Sequence, residues 1–484
     1  MTKIRVDCYE AGVGSKGGLG TYHNELYPEL VKLGHDVKTF SMMTREGLNT
    51  REVFDGVVIR RAEYPVSIDQ AYANVYDTFK SYKIDSRYIS PETLGLGFKV
   101  NKEKEYKFFT DFSCCPTPYK MCEAELLEPQ DWMSFLRSGF FSLLLPDLVQ
   151  NLGVHSTEPG RRGGIYHNNL NGTVEKFSDK EFIYNKDGNR WASFTEGERI
   201  IRDLEFVLTY NILKENPEFG LMTVSKIHRT EYLMGVKEHG GKPEKIQNRV
   251  YPMHHGVDTH DLRPMSNVEK KDFTVGVLAR CTPIKGLCLM YPLATILANE
   301  APEIKIHIAT PAEDDNPLYM SLRDLSARLP NLKVDNTWYV GEEKTKLINS
   351  FHALLAPSLY EPQGQIDLEA LACGVPPIVG MGGLREKVED GLTGIWINPF
   401  DPRDTANKIV MLYRSMNGGP PYKGINGDES KYEEMCKNAR EDAEKRWSWK
   451  KRALAHQEKN KYLIDGKVDV MREELSSLLT PLYD

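Results

Sequence analysis

The chain is expected to fold as two doubly wound, Rossmann-like α/β domains, and three observations predict this. Near the start, an apolar run at residues 4–9, a glycine loop around Gly12–Gly20, helical spacing over 21–33 and a second apolar run at 37–42 form a strand–loop–helix–strand unit. Further on, apolar runs at 273–278, 304–309 and 332–334 alternate with helical spacing at 287–298, 318–329 and 343–351, with Tyr339 as a further strand position. Finally, residues 353–357 lead through a polar loop into a helix at 365–373 and a strand at 375–379. Two strands joined in that way run parallel with a right-handed crossover.

Composition bounds the function. At 484 residues there is room for two or three domains, each with its own core. A net charge of −7 opposes a nucleic-acid coat or a polybasic membrane protein. The eight cysteines lack C-x-x-C or zinc spacing, which suits a reduced, cytoplasmic setting. Residues 1–8 carry charges and lack the apolar core of a secretory leader, and the apolar run at 140–146 is too short to span a bilayer.

Taken in order, the glycine loop comes first. Gly12-x-Gly14-x-x-Gly17 matches a dinucleotide fingerprint, which needs an acidic residue at the end of the second strand for the ribose. That strand ends Phe40-Ser41-Met42-Met43, so a nicotinamide enzyme fits poorly. A loop that lets backbone approach a ligand, with helix N–H groups behind it, fits better. Residues 65–125 have little periodicity. A strand ends at His155, residues 166–189 read as a polar insertion, and 197–211 as a long amphipathic helix. Tyr166, Tyr184 and Trp191 supply flat faces for stacking, or pack the insertion down. Strands at 221–225 and 249–253 precede His254-His255-Gly256-Val257-Asp258, where the histidine pair has no third metal ligand nearby in sequence. The proline-bearing, charged stretch 262–271 reads as a linker, giving domains 1–267 and 268–452, with helices at 404–415 and 432–446 and a last helical segment, 453–484.

The second domain carries the chemistry. Arg280 and Lys285 follow its first strand, where a forked guanidinium and an ammonium suit a diphosphate. Glu361 lies in the loop after residues 353–357, and Glu369 lies on the helix, with seven residues between them. Ligands of open α/β sheets bind at the carboxyl ends of the strands. There one carboxylate can hold a sugar ring and the other a ribose diol. Gly382-Gly383 then leads into residues 384–388, read as a helix whose N-terminus could face a phosphate. The plainer alternative is two solvated carboxylates and an ordinary turn.

The order Glu361-Pro-x-Gly364, Glu369, Gly-x-Pro and Gly382-Gly383 resembles the E-x7-E donor site of retaining GT-B glycosyltransferases, the glycogen/starch synthase-like group of families 4 and 5. The resemblance implies the GT-B fold, two Rossmann-like domains facing a central cleft, with the last helices crossing back to the first domain. It implies Glu361 beside the donor sugar, Glu369 at the nucleotide ribose, Gly364 among the substrate-binding residues, and His155 reaching the sugar from the first domain. Gly17, Gly18 and Gly20 are similar to the N-terminal loop of the same group. Two departures stand out: Ser15 replaces the lysine common before the glycine pair, and Gln130-Asp131-Trp132 replaces a His-Asp-Trp.

The implied activity is transfer of a hexosyl group, glucose in the first instance, from ADP- or UDP-glucose to a glycan. The implied partners are that donor and a glycan or small-glycoside acceptor, with no nucleic acid, and nothing in the chain opposes a homo-oligomer. No two aspartates are spaced i, i+2, so no D-x-D metal motif is present; no metal or other cofactor is expected. Alternatives are a mannosyl- or other hexosyltransferase making a small glycoside or glycolipid, a GT-B protein that only binds sugar nucleotide or glycan, and a phosphorylase.

Overall fold

In the computed structural model, the described residues are 3–7, 11–13, 18–42, 48–49 and 51–62, short strands between 84 and 192, and residues 210, 213–214 and 220–464 except 239, 283–284 and 360. The chain divides into two compact units. One comprises Met1–Glu158, Thr195–Gly256 and Trp449–Asp484; the other comprises Pro159–Phe194 and Val257–Ser448.

The first unit opens with β1 (Lys3–Asp7), α1 (Gly18–Lys32), β2 (Asp36–Met42), β3 (Arg51–Phe54), β4 (Val57–Ala62) and β5 (Lys107–Phe108). Their order in the sheet is β3-β4-β2-β1-β5, parallel except for the β3–β4 hairpin. Leu26 and Leu30 of α1 are buried with Ile4, Val6 and Val37 of the sheet, as the helical spacing predicts. A second, three-stranded parallel sheet joins β6 (Asn151–Val154), β7 (Gly220–Thr223) and β8 (Val250–Pro252), with α2 (Lys226–Glu238) following β7. The helix read at 197–211 lies almost wholly outside the described residues.

The second unit follows the predicted alternation. It runs β9 (Thr274–Leu278), α3 (Met290–Glu300), β10 (Lys305–Ala309), α4 (Pro317–Ser326), β11 (Leu332–Asp335), α5 (Gly341–Asn349), β12 (Ala353–Ala356), α6 (Ile366–Ala372), β13 (Pro377–Val379) and β14 (Ile395–Trp396). All six strands are parallel in the order β11-β10-β9-β12-β13-β14. A parallel sheet needs both faces covered, and β12 is accordingly buried at every position. Helix starts follow local chemistry: Asn316 caps α4 ahead of Pro317, and Asp401 caps α7 (Pro402–Met416) ahead of Pro402. Ile409 and Leu412 of α7 are fully buried, each such side chain contributing about 1.5–3 kcal/mol.

Two expectations need correction. Tyr339 is not in a strand but in the loop between β11 and α5, where its hydroxyl lies 3.3 Å from Asp335 Oδ2. Residues 384–388 do not form a helix. A single 3₁₀ turn, Gly382–Leu384, is followed by turns, because the side chains beyond it bond into the protein. Arg385 donates to the carbonyls of Gly380 (2.8 Å) and Ile397 (2.7 Å), and Lys387 turns into the interior.

The stretch 262–271 is fastened to the second unit. Arg440 of α8 (Tyr432–Asp442) donates to the carbonyls of Thr259 (2.9 Å), Leu262 (2.9 Å) and Ala372 (2.5 Å). The chain passes between the units at Gly256–Val257 and returns at Ser448–Trp449. The last helix, α9 (Trp449–Ile464), packs on α1 within the first unit: the Tyr22 ring lies 5.9 Å from that of Trp449, and its hydroxyl lies 3.4 Å from His456 Nε2. Among the described residues, no helix is long and apolar enough to cross a membrane.

His352, just before β12, ties this architecture to pH. It is buried, stacks on Phe273 at 5.0 Å, and its Nδ1 accepts the Thr274 N–H at 3.1 Å. Burial, helped by the charge of Lys270, lowers its pKa to about 4. In the unfolded chain the group titrates near 6.5, so between about 4 and 6.5 the unfolded state binds more protons. Stability is therefore full above about pH 6.5 and is lost as pH falls toward 4, by up to about 3 kcal/mol. Urea midpoints at pH 7 and pH 4.5 should differ less for His352→Asn than for the unsubstituted chain.

Candidate donor-sugar site

The site is built where β9 and β12 lie side by side, Val275 paired with Ala353 and Gly276 with Leu354. The loops after these two strands meet at Gly286. Its φ is +72°, and a Cβ there would stand 2.1 Å from the Pro357 carbonyl oxygen, so only glycine permits this approach. The approach brings Lys285 to Glu361. The ammonium donates to Glu361 Oε2 in a close ion pair, with side chains 22% and 15% exposed. Ser358 Oγ lies 3.5 Å from the same oxygen. Arg280 stands on the same loop, exposed.

The Gly382–Leu384 turn backs directly onto the glutamate loop. A Cβ at Gly383 would stand 2.0 Å from the Pro362 carbonyl, and one at Gly382 2.7 Å from that of Glu361. The Gly383 N–H donates to the Glu361 carbonyl at 3.0 Å, an inward bond where the sequence suggested a group facing phosphate. Gly364 takes a φ of +81°, within contact distance of both Glu361 and Leu384 for any added Cβ.

Beneath the loop lies a pair that sequence reasoning missed. Asp367 and Lys387 have no exposed side-chain surface and lie 2.8 Å apart. Lys387 Nζ donates to Asp367 Oδ1 (3.0 Å), to the Gly364 carbonyl (2.9 Å) and to the Gln363 carbonyl. Burial pushes the Asp367 carboxyl up and the Lys387 ammonium down, each opposed by the charge of the other. One signal existed: Asp367 stands between the apolar Ile366 and Leu368 at the start of the helix. Its partner, twenty residues on, could not be read from spacing.

Glu369 sits on α6, 12% exposed, and its Oε1 is 2.5 Å from Lys344 Nζ on α5. The second unit thus brings together Lys285, Glu361, Gly364, Gly382 and Gly383, with Arg280 nearby in the chain, and places Glu369 on the helix that follows. Of the remaining predicted residues, the glycine loop and His155 fall in the first unit, whereas the segment with Tyr166, Tyr184 and Trp191, expected in the N-terminal domain, groups with the second. Gly18 and Gly20 form the opening turn of α1; ahead of them the Gly12 N–H donates to Asn24 Oδ1 at 2.7 Å, tying the loop to that helix. Gly17, His155, Ser15 and Gln130 lie outside the described residues, although β6 ends directly before His155. Tyr166, Tyr184 and Trp191 fall on short strands whose side chains are likewise outside them. Among the described residues, no three His, Cys, Asp or Glu side chains converge as a metal site.

Residues 272–415 match the glycosyl transferases group 1 family. An uncharacterized glycosyltransferase of Methanocaldococcus jannaschii is 24% identical over 67% of this chain and 72% of its own length. The mannosylfructose-phosphate synthase of Agrobacterium fabrum is 31% identical over 36% of this chain and 39% of its own. The solved sucrose-phosphate synthase from Thermosynechococcus elongatus covers 96% of this chain and 100% of its own, with TM-score 0.62 and 16% identity. The fold is GT-B and the protein is a glycosyltransferase.

Breaking the buried pair should be expensive. Lys387→Met leaves Asp367 buried and uncompensated, a change expected to cost about 3–5 kcal/mol in denaturant unfolding. Combining it with Asp367→Leu should recover most of that loss. A double variant no more stable than Lys387→Met would show that the two do not act as a pair.

Proposed function

We propose that this glycosyltransferase moves a hexosyl group from a nucleoside diphosphate sugar to an acceptor hydroxyl, with retention at the anomeric carbon. The observation that carries the reading is the Lys285–Glu361 contact between the loops of neighbouring parallel strands, with Glu369 on the helix that follows. In this reading Lys285 and Arg280 meet the diphosphate, Glu369 accepts from the ribose, and Glu361 and His155 hold the sugar.

The pairing of Lys285 with Glu361 gives the charge a route. An ammonium has three donors, so Lys285 can keep one bond to Glu361 while it turns others to the arriving phosphate. As the bond from C1 to the phosphate oxygen breaks, negative charge grows on the leaving group and the lysine contact strengthens. The acceptor oxygen bonds to C1 on the face the phosphate leaves, and its proton passes to the departing phosphate. Glu361 positions and stabilises the sugar rather than forming a covalent intermediate. The charge is met by side chains, without a metal ion. A reduced, cytoplasmic setting is consistent with the free thiols of Cys281, Cys288, Cys373 and Cys436.

For the acceptor, the E-x7-E likeness supports glucose transfer to a glycan, as in glycogen and starch synthases. A second reading, a small acceptor, is favoured by the relative and the solved structure named as mannosylfructose-phosphate and sucrose-phosphate synthases. The two separate in one assay of diphosphate release. ADP- and UDP-glucose with maltooligosaccharides should give products longer by single units under the first reading. Reaction only with monosaccharide or sugar-phosphate acceptors, whichever hexose donor serves, would install the second.

Lys285→Ala should lower kcat about a hundredfold or more, because the lost contact is strongest in the transition state. An unchanged kcat would remove Lys285 from the leaving-group site. Activity should persist in EDTA; loss that Mg²⁺ or Mn²⁺ restores would overturn the metal-free mechanism.

A further inference from the structure

Each glutamate of the site has its own lysine, and the second of these has no role in the scheme above. Lys344 Nζ lies 2.5 Å from Glu369 Oε1, with side chains 27% and 12% exposed. Both partners are held from behind. On α5, the Asn349 side chain accepts the Met265 N–H (2.8 Å) and donates to the carbonyls of Arg263 and Thr345 (2.9 Å each). On α6, Asp367 is anchored by Lys387. Lys346, two positions on, is the contrast: it is 50% exposed and bonds Glu342 of its own helix at 2.8 Å. That is an ordinary solvated i, i+4 pair, whereas Lys344 joins two helices fixed by other contacts.

The chemistry of the pair differs from that of a carboxylate alone. A ribose hydroxyl both donates and accepts, while an ionised carboxylate only accepts. An ammonium bonded to one carboxylate oxygen still has two N–H donors. A hydroxyl arriving at this pair can donate to Glu369 and accept from Lys344 together. We propose that Lys344 is a second ribose-recognition residue, donating to the hydroxyl from which Glu369 accepts, so that the pair selects ribonucleotides over their deoxy counterparts. This rests on the reading of Glu369 as the ribose carboxylate.

The selectivity comes from the groups left behind. A nucleotide lacking the hydroxyl would close over a partly buried carboxylate and ammonium with neither bond replaced. Charge-assisted hydrogen bonds of this kind are each worth roughly tenfold to a hundredfold in affinity.

The test is calorimetric titration of the full chain with UDP, ADP and GDP and with their 2′-deoxy and 3′-deoxy forms, so no transfer activity is needed. The unsubstituted protein should favour one ribonucleoside diphosphate over at least one of its deoxy forms by about a hundredfold. Lys344→Met should weaken the ribonucleotide about tenfold while barely changing the deoxy form, and Lys344→Arg should restore part of the preference. Lys346→Met should leave both affinities unchanged. If Glu369→Gln collapses the preference and Lys344→Met does not, the proposal fails and the reading of Glu369 stands. If Glu369→Gln leaves the preference intact, or no nucleoside diphosphate binds, the reading itself fails and the proposal with it.

Discussion

A lysine sealed from water must find its hydrogen bonds inside the protein, and Lys387 finds them in the loop that carries Glu361. Its three bonds, to the carbonyls of Gln363 and Gly364 and to Asp367, join that loop, the start of α6 and the segment after the Gly382–Leu384 turn. Desolvating two charges costs several kcal/mol, which their mutual attraction and the hydrogen bonds of the lysine must offset. The arrangement therefore tolerates little displacement. Glu361 and Glu369 inherit their separation from it, because both project from backbone that Lys387 and Asp367 hold.

The outer pairs are of another kind. Lys285–Glu361 and Lys344–Glu369 are partly exposed, so water shares the cost of rearranging them. In the proposed reading, a donor that brings phosphate and hydroxyl groups exchanges bonds with these lysines without exposing a naked charge. The unit thus combines a rigid inner ion pair with two outer pairs able to change partners. Glycine makes this compact: at Gly286, Gly382 and Gly383 a side chain would drive apart backbones that lie in contact.

Much was legible in the chain itself. The alternation of apolar runs and helical spacing announced the second unit, because a parallel sheet covered on both faces demands such strands and helices. The helical spacing at 318–329 and 404–415 located α4 and α7, whose first residues follow the capping Asn316 and Asp401 in the structure. Arg280, Lys285, Glu361 and Glu369 stood out as candidates through their positions after strands and on a helix, and through the resemblance of the glutamate spacing to the E-x7-E pattern. These are local rules, set by residue type and short spacing.

What tertiary structure alone decided is who faces whom. That Lys285 meets Glu361, that Lys344 meets Glu369 and that Lys387 turns inward to Asp367 depends on which strands are neighbours in the sheet and on how α5 and α6 lie together. The same applies to residues 384–388, whose local pattern suits a helix but whose side chains bond elsewhere. Short-range spacing carries no information about partners twenty or more residues away. The sequence by itself determined the kind of fold and the groups available to the site; the packing of strands and helices determined which charges are paired, and which of those pairs lies beyond the reach of water.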